Sequence, residues 1–283
     1  MSPLRVAVCA DDFGLDAHVN RGVMALAERG RLNGVGCMVG APGWGGAGAE
    51  LAALDAVGGD IGLHLDLTEH PLDARWRISL PALIARSYLH RLPITALRAE
   101  IGQQIDRFEQ RLGRSPDYID GHRHVHQLPQ VRSALLDVLA ERRCRPWLRS
   151  TRHAPGLRAP AGSAVAERIK PRLIEALGAN ALARDAARAG LAQNRRLLGV
   201  YAFGADEAAY QRWVEVWLAA AGDLDVLMCH PALGPASSAD DPIATARAVE
   251  QRVLDSAWMD EVLERHGVRR VRLSGVLGAP SAA

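Results

Sequence analysis

Short apolar runs alternate with amphipathic segments along almost the whole chain, and that alternation restricts the architecture more than any other feature. The runs Arg5–Ala10, Gly34–Val39, Ile61–Leu67, Tyr118–Asp120, Pro146–Arg149, Leu198–Ala202, Val226–Cys229 and Val268–Leu273 are strand candidates. Between them, Asp16–Arg29, Ala96–Arg111, Val131–Arg142, Ala208–Ala220 and Thr245–His266 read as helices. In the second of these, Leu97, Ile101, Ile105, Phe108 and Leu112 recur at helical spacing. Leu51–Val57 has the composition of a short helix. The stretch His70–Pro93 is broken by Pro and Arg and reads as an irregular loop or lid. The Ala- and Arg-rich region from Pro155 to Ala192 is helical in character but resists assignment. The pattern predicts an α/β fold, an irregular (β/α) barrel of about seven or eight parallel strands, in a single domain over residues 1–283. An open doubly wound sheet is the alternative, but no Gly-x-Gly-x-x-Gly turn follows the first strand.

Charge narrows the partners. Lys and Arg number 34 against 32 Asp and Glu, and no basic block stands out, so nothing points to nucleic acid. Lys170 is the only lysine. Cys9, Cys37, Cys144 and Cys229 are widely spaced with no Cys-x-x-Cys pair, as expected of free thiols. No signal-peptide pattern opens the chain and no apolar run reaches membrane-spanning length. The expectation is a cytoplasmic protein without a membrane span, with a homodimer left open.

Four polar clusters each follow an apolar strand candidate. They are Asp11-Asp12, His64 in Gly62-Leu63-His64-Leu65, Asp120-Gly121-His122-Arg123-His124-Val125-His126, and His230 in Met228-Cys229-His230-Pro231. Sites in parallel α/β folds are built at the C-terminal strand edge. Each cluster has a plain alternative: a capping Asp-Asp turn, a hydrogen-bonded core histidine, a solvated strand edge, a turn residue. Their recurrence at equivalent positions favours a shared site. Adjacent carboxylates repel unless a cation or a shared proton relieves them. One carboxylate and two imidazoles can hold a divalent ion with positions left open, while a second carboxylate serves as base and a histidine as acid. Those parts suit metal-assisted hydrolysis of an amide or ester. His122, His124 and His126 would share one face if the chain is extended there.

The strings Ala-Asp-Asp-Phe-Gly-Leu, Gly-Leu-His-Leu-x-Leu-Thr, Asp-Gly-His-Arg-His-Val-His followed by Pro129, and Met-Cys-His-Pro occur in that order. Together they resemble the YdjC-like (ChbG/HpnK) carbohydrate deacetylases. The resemblance implies a barrel related to polysaccharide deacetylases, with one divalent ion (Mg2+ or Zn2+). It also implies deacetylation of an N-acetylated sugar, on an oligosaccharide or a glycolipid, hopanoid-linked ones included. By matching position it implies Asp12, His64 and His122 as metal ligands, Asp11 as general base and His230 as catalytic histidine. His124, His126 and Arg149 become candidates for substrate contact or for support of the ligands. Gly121 and Arg123 stand where the family often has Ser and His; Arg123 removes one alternate ligand and leaves His122. The competing readings are a metal-dependent phosphoesterase, which needs more ligands and basic groups, and a non-catalytic sugar- or metal-binding module, which has no use for both Asp11 and His230.

Overall fold

The computed structural model describes residues 3–46, 50, 53–54, 58–234 and 241–277. Eight strands occur among them: β1 (Leu4–Phe13), β2 (Gly34–Cys37), β3 (Asp60–Leu65), β4 (Tyr118–Gly121), β5 (Trp147–Leu148), β6 (Leu197–Leu198), β7 (Asp225–Cys229) and β8 (Val268–Arg270). The helices are α1 (Ala17–Glu28), α2 (Leu80–Tyr88), α3 (Ile94–Leu112), α4 (Pro129–Arg142), α5 (Val165–Ala176), α6 (Ala179–Arg188), α7 (Glu207–Ala219), α8 (Ala244–Asp255), α9 (Ala257–Arg265) and α10 (Ser274–Leu277). The strand order is β5-β4-β3-β2-β1-β7-β6, with β8 beside the start of β1, and the described pairings are parallel. Parallel bridges Leu148–Gln193 and His153–Leu197 join the two ends of that path. The result is an irregular (β/α) barrel, as the alternation predicted.

Alternation along the strands sorts side chains into two cores. Val6, Val8, Ile61, Leu63, Ile119 and Leu227 pack outward among the helices. Ala7, Cys9, Tyr118, Trp147, Val226 and Met228 fill the barrel interior. Two large rings, Tyr118 and Trp147, stack there at 4.4 Å, so the neighbouring strand β3 must yield space. Gly62 does: a Cβ built on it would lie 2.5 Å from the Tyr118 ring. Gly62→Ala is therefore expected to lower stability by about 1–3 kcal/mol through overpacking, read as the shift in urea midpoint at unchanged slope. An unshifted midpoint would show that the ring is free to move.

One step further up the same inward rows stand Asp11, His64, Asp120 and Arg149. The polar layer is thus the top of the barrel interior, and strand period alone puts it there.

Several expectations need correcting. His70–Pro93 is not irregular. It contains a 3-10 turn at Ala74–Trp76 and α2, with Trp76, Leu83 and Leu92 buried. The Glu100 carboxylate fixes the start of the segment by accepting from Leu72 N (2.8 Å) and Asp73 N (3.0 Å). Thr245–His266 is two helices, because the Ser256 hydroxyl donates to Val253 O and its extended backbone starts α9. The unassigned region holds α5 and α6. The β5 and β6 strands are shorter than Pro146–Arg149 and Leu198–Ala202. The helix expected at Leu51–Val57 lies mostly outside the described residues.

Candidate active site

Adjacent strand residues ordinarily point to opposite faces, so Asp11 and Asp12 should diverge. They do not, because Asp12 is left-handed (φ 67°) where the β1–β2 register slips between Ala10 and Phe13. Asp and Asn tolerate this conformation better than most residues. The kink turns both carboxylates to the barrel mouth, where each is 1% exposed.

His64 arrives from β3 and His122 from the turn after β4. His64 Nε2 lies 3.4 Å and His122 Nδ1 3.1 Å from Asp12 Oδ1. Donor atoms of Asp12, His64 and His122 all fall within 4.8 Å of one another. Each imidazole is backed by a carboxylate: His64 Nδ1 meets Asp120 Oδ1 at 2.7 Å, and His122 Nε2 meets Glu69 Oε2 at 3.3 Å. Carboxylates behind histidines are how metal-ligating imidazoles are oriented. The donor set suits a divalent ion. A second group, Asp11, His64 and Asp120, also converges, but Arg149 is already wedged into it. Its guanidinium lies 2.6 Å from Asp11 Oδ2 and 2.8 Å from Asp120 Oδ2. Asp11 Oδ1 is buried without a hydrogen-bond partner.

A model of the YdjC-like protein family matches residues 5–265. The chain belongs to that family. Among relatives, it is 34% identical over 138 residues to the chitooligosaccharide deacetylase of Serratia marcescens, covering 44% of this chain and 51% of that protein. It is 30% identical over 151 residues to the carbohydrate deacetylase of Danio rerio, covering 49% and 47%. The chain spans about half the length of these relatives. Among solved structures, an Enterococcus faecalis V583 protein provisionally named for cellobiose-phosphate cleavage has TM-score 0.68 at 20% identity, covering 98% of this chain and 100% of that one. The peptidoglycan N-acetylglucosamine deacetylase Bc1960 has TM-score 0.52 at 12% identity, covering 96% and 87%. These two show a shared fold.

The charges of this YdjC-like site are set by their surroundings. Burial works against the Asp12 carboxylate, yet Arg247, 2.7 Å from Oδ2, and the two imidazoles hold it well below the usual range. Burial lifts Asp11 above the usual range against the pull of Arg149. Burial opposes charge on His122 as well, but Asp12 and Glu69 raise it to about 9. His64 is raised well above its ordinary value, the pull of Asp120 and Asp11 outweighing burial.

The remaining candidates are less alike than their spacing suggested. Arg123 and His124 are both left-handed (φ 53° and 61°), which kinks the 3-10 segment 122–127, and the three histidines do not share a face. His122 reaches Asp12. His126 is fully buried and bonds the Arg149 carbonyl at 2.8 Å, supporting the backbone just past β5 that carries Arg149. Burial holds His124 well below its ordinary value and His126 at about 4. Arg149 is 1% exposed and contacts carboxylates, which makes it a support for Asp11. Gly121 is required by packing, since a Cβ there would lie 2.8 Å from His126 N. Arg123 is exposed and pairs with Glu69.

His230 lies past β7 with Phe203 edge-on at 5.1 Å. Burial pushes its imidazole down to about 3, below the range of an ordinary histidine acid. Beside it, burial raises Glu250 on α8 to about 7. Glu250 accepts from His230 N (2.6 Å) and Tyr201 Oη (2.7 Å), and its Oε1 lies 3.9 Å from His230 Nδ1. Sequence reading missed Glu69, Arg247 and Glu250. The last two are three apart on one helix, each at most 3% exposed, and only that spacing of opposite charges in an amphipathic helix hinted at them.

Glu250 gives a pH dependence to stability. A carboxyl raised on folding adds stability below its unfolded value, and that stability is lost as pH climbs through the folded value. Stability should fall by about 3 kcal/mol between roughly pH 4.5 and 7, and Glu250→Gln should flatten that slope. Urea melts across this range would check it; parallel pH profiles for the two proteins would contradict it.

Proposed function

We propose that this chain is a metal-dependent carbohydrate deacetylase that hydrolyses the acetamide of an N-acetylated sugar to free amine and acetate. The observation that carries the reading is the convergence of Asp12, His64 and His122 beside Asp11, whose Oδ1 is buried and unpartnered. A divalent ion held by those three residues would supply Lewis acidity, lowering the pKa of a water and polarising a carbonyl. Ligand chemistry of one carboxylate and two imidazoles suits Zn2+, and Mg2+ is the other candidate.

The chain's own groups then divide the proton work. Asp11 Oδ1 takes the proton of the attacking water, and Arg149 on Oδ2 fixes the carboxylate in place. Its raised pKa makes it a stronger base than an ordinary aspartate. Expulsion of an amine needs a proton, and His230 delivers it to the leaving nitrogen. Since His230 rests neutral, it must take up a proton before it can give one; Glu250, which accepts from its backbone N–H and stands 3.9 Å from its Nδ1, is the neighbouring acid that holds it in place. Arg247 keeps Asp12 ionised, and Asp120 and Glu69 hold the imidazoles in orientation.

The phosphoesterase reading has less support, because Arg149 takes the place a second ion would need between Asp11 and Asp120. Substrates named for the relatives, chitooligosaccharides and other carbohydrates, indicate the class to try. The test is acetate release from N-acetylglucosamine oligomers and from an N-acetylglucosaminyl lipid, with phosphate release from an aryl phosphate as comparison. Acetate from either sugar supports the reading; phosphate without acetate overturns it.

A further inference from the structure

The large apolar side chains left exposed among the described residues are not scattered. Val165 (70% exposed), Ile169 and Leu173 (58%) form a stripe at i, i+4 and i+8 along α5. Tyr88, Leu89 (61%) and Ile94 sit where α2 ends and α3 begins. Leu233 follows His230-Pro231 directly.

All three places border the strand edge that carries the candidate site. On α5, Lys170 Nζ lies 4.7 Å over the Phe203 ring, and Phe203 packs edge-on against His230. Ile174 of the same helix accepts from Gln127 of the histidine turn (2.9 Å). Beside the second patch, Gln130 at the start of α4 takes Leu92 N at 2.8 Å and gives its own N–H to Ser87 Oγ at 3.1 Å. Leu233 N bonds His18 O at the start of α1 (3.0 Å).

The charge beside the first two patches is basic. No acidic residue occurs between Asp73 and Glu100, nor between Glu141 and Glu167. Arg86 and Arg91 are exposed beside Leu89, and Arg168 and Arg172 are exposed beside the α5 stripe. The acids of α5 lie off that face, and Glu167 folds back to accept from Ala164 N at 3.1 Å.

We propose that this face docks on an anionic lipid surface, with the α5 stripe and Leu89 entering the interface and the arginines meeting headgroup charge. Apolar residues on an amphipathic helix with flanking arginine are the chemistry that a negatively charged bilayer surface recognises. A second copy of the chain fits less well. A symmetric pairing through this face would bring the surfaces bearing Arg86, Arg91, Arg168 and Arg172 of the two copies together, like charge facing like charge. Docking would hold the mouth of the barrel at the lipid surface.

The test needs no substrate, so it stands apart from the proposed deacetylation. The purified chain is co-sedimented with vesicles of phosphatidylcholine, with and without phosphatidylglycerol. Binding is expected to be about tenfold stronger with the anionic lipid and to weaken with salt. Ile169→Glu with Leu173→Glu should lower binding by about tenfold or more while the circular dichroism spectrum is unchanged. Should that pair misfold, Arg168→Gln with Arg172→Gln provides a second arm, expected to reduce both binding and its salt dependence. Equal absence of binding to both vesicles overturns the proposal. So does self-association of the wild-type chain that either pair abolishes, which would assign the face to a second copy.

Discussion

Asp11→Asn is expected to retain a bound divalent ion and to lower turnover on an N-acetylated sugar by about a hundredfold or more. The ion should stay because Asp12, His64 and His122 keep their mutual geometry. Turnover should fall because an amide cannot take the proton that Oδ1 is left free to accept. The substitution also removes one of the two charges that neutralise Arg149, so thermal melting should accompany the kinetics. His230→Ala is the companion experiment. An amine leaving group needs protonation and an aryl alcohol does not. Activity remaining after His230→Ala should therefore be greater on aryl acetates than on acetamides. Equal loss on both would take His230 out of the acid role and leave it a positioning residue.

His64→Ala and His122→Ala should each strip the ion and, with it, nearly all activity. Two donor groups at one strand edge do not fix a divalent ion as three do, and catalytic sites of this kind use three protein ligands. His64→Ala should be the more damaging to the fold, because it leaves Asp120 beside Arg149 without its imidazole partner in a fully buried layer. His122 is partly exposed and its loss should be milder there. Metal analysis by mass spectrometry with parallel urea melts reads both effects. Full metal occupancy in both variants would refute the ligand assignment.

What the sequence disclosed and what it hid follow one physical line. Strand period and apolar patterning are local, so the barrel, the strand edge and the grouping of Asp11, Asp12, His64 and His122 were all legible. Backbone handedness is not readable from hydropathy. The left-handed Asp12, Arg123 and His124 decide which side chains face the mouth, and they undo the shared face expected of His122, His124 and His126. Long-range charge pairing is hidden as well. Arg247 neutralises Asp12 across 235 residues, and Glu250 sits under His230 from the same helix. Nothing in a helix sequence says that its charged residues are buried. The ordered His70–Pro93 segment was missed for a third reason: its apolar positions are interrupted by Pro and Arg. Its order comes instead from tertiary anchors such as Glu100 and Gln130.

The most direct test of the central claim is acetate release from N-acetylglucosamine oligomers by chain stripped with a chelator and titrated with Zn2+ or Mg2+. The site geometry leads us to expect no release without metal, and a rise that saturates at about one ion per chain, as a single three-ligand site requires. Release that is indifferent to the chelator, or that saturates only at about two ions per chain, would contradict a single-metal deacetylase at Asp12, His64 and His122.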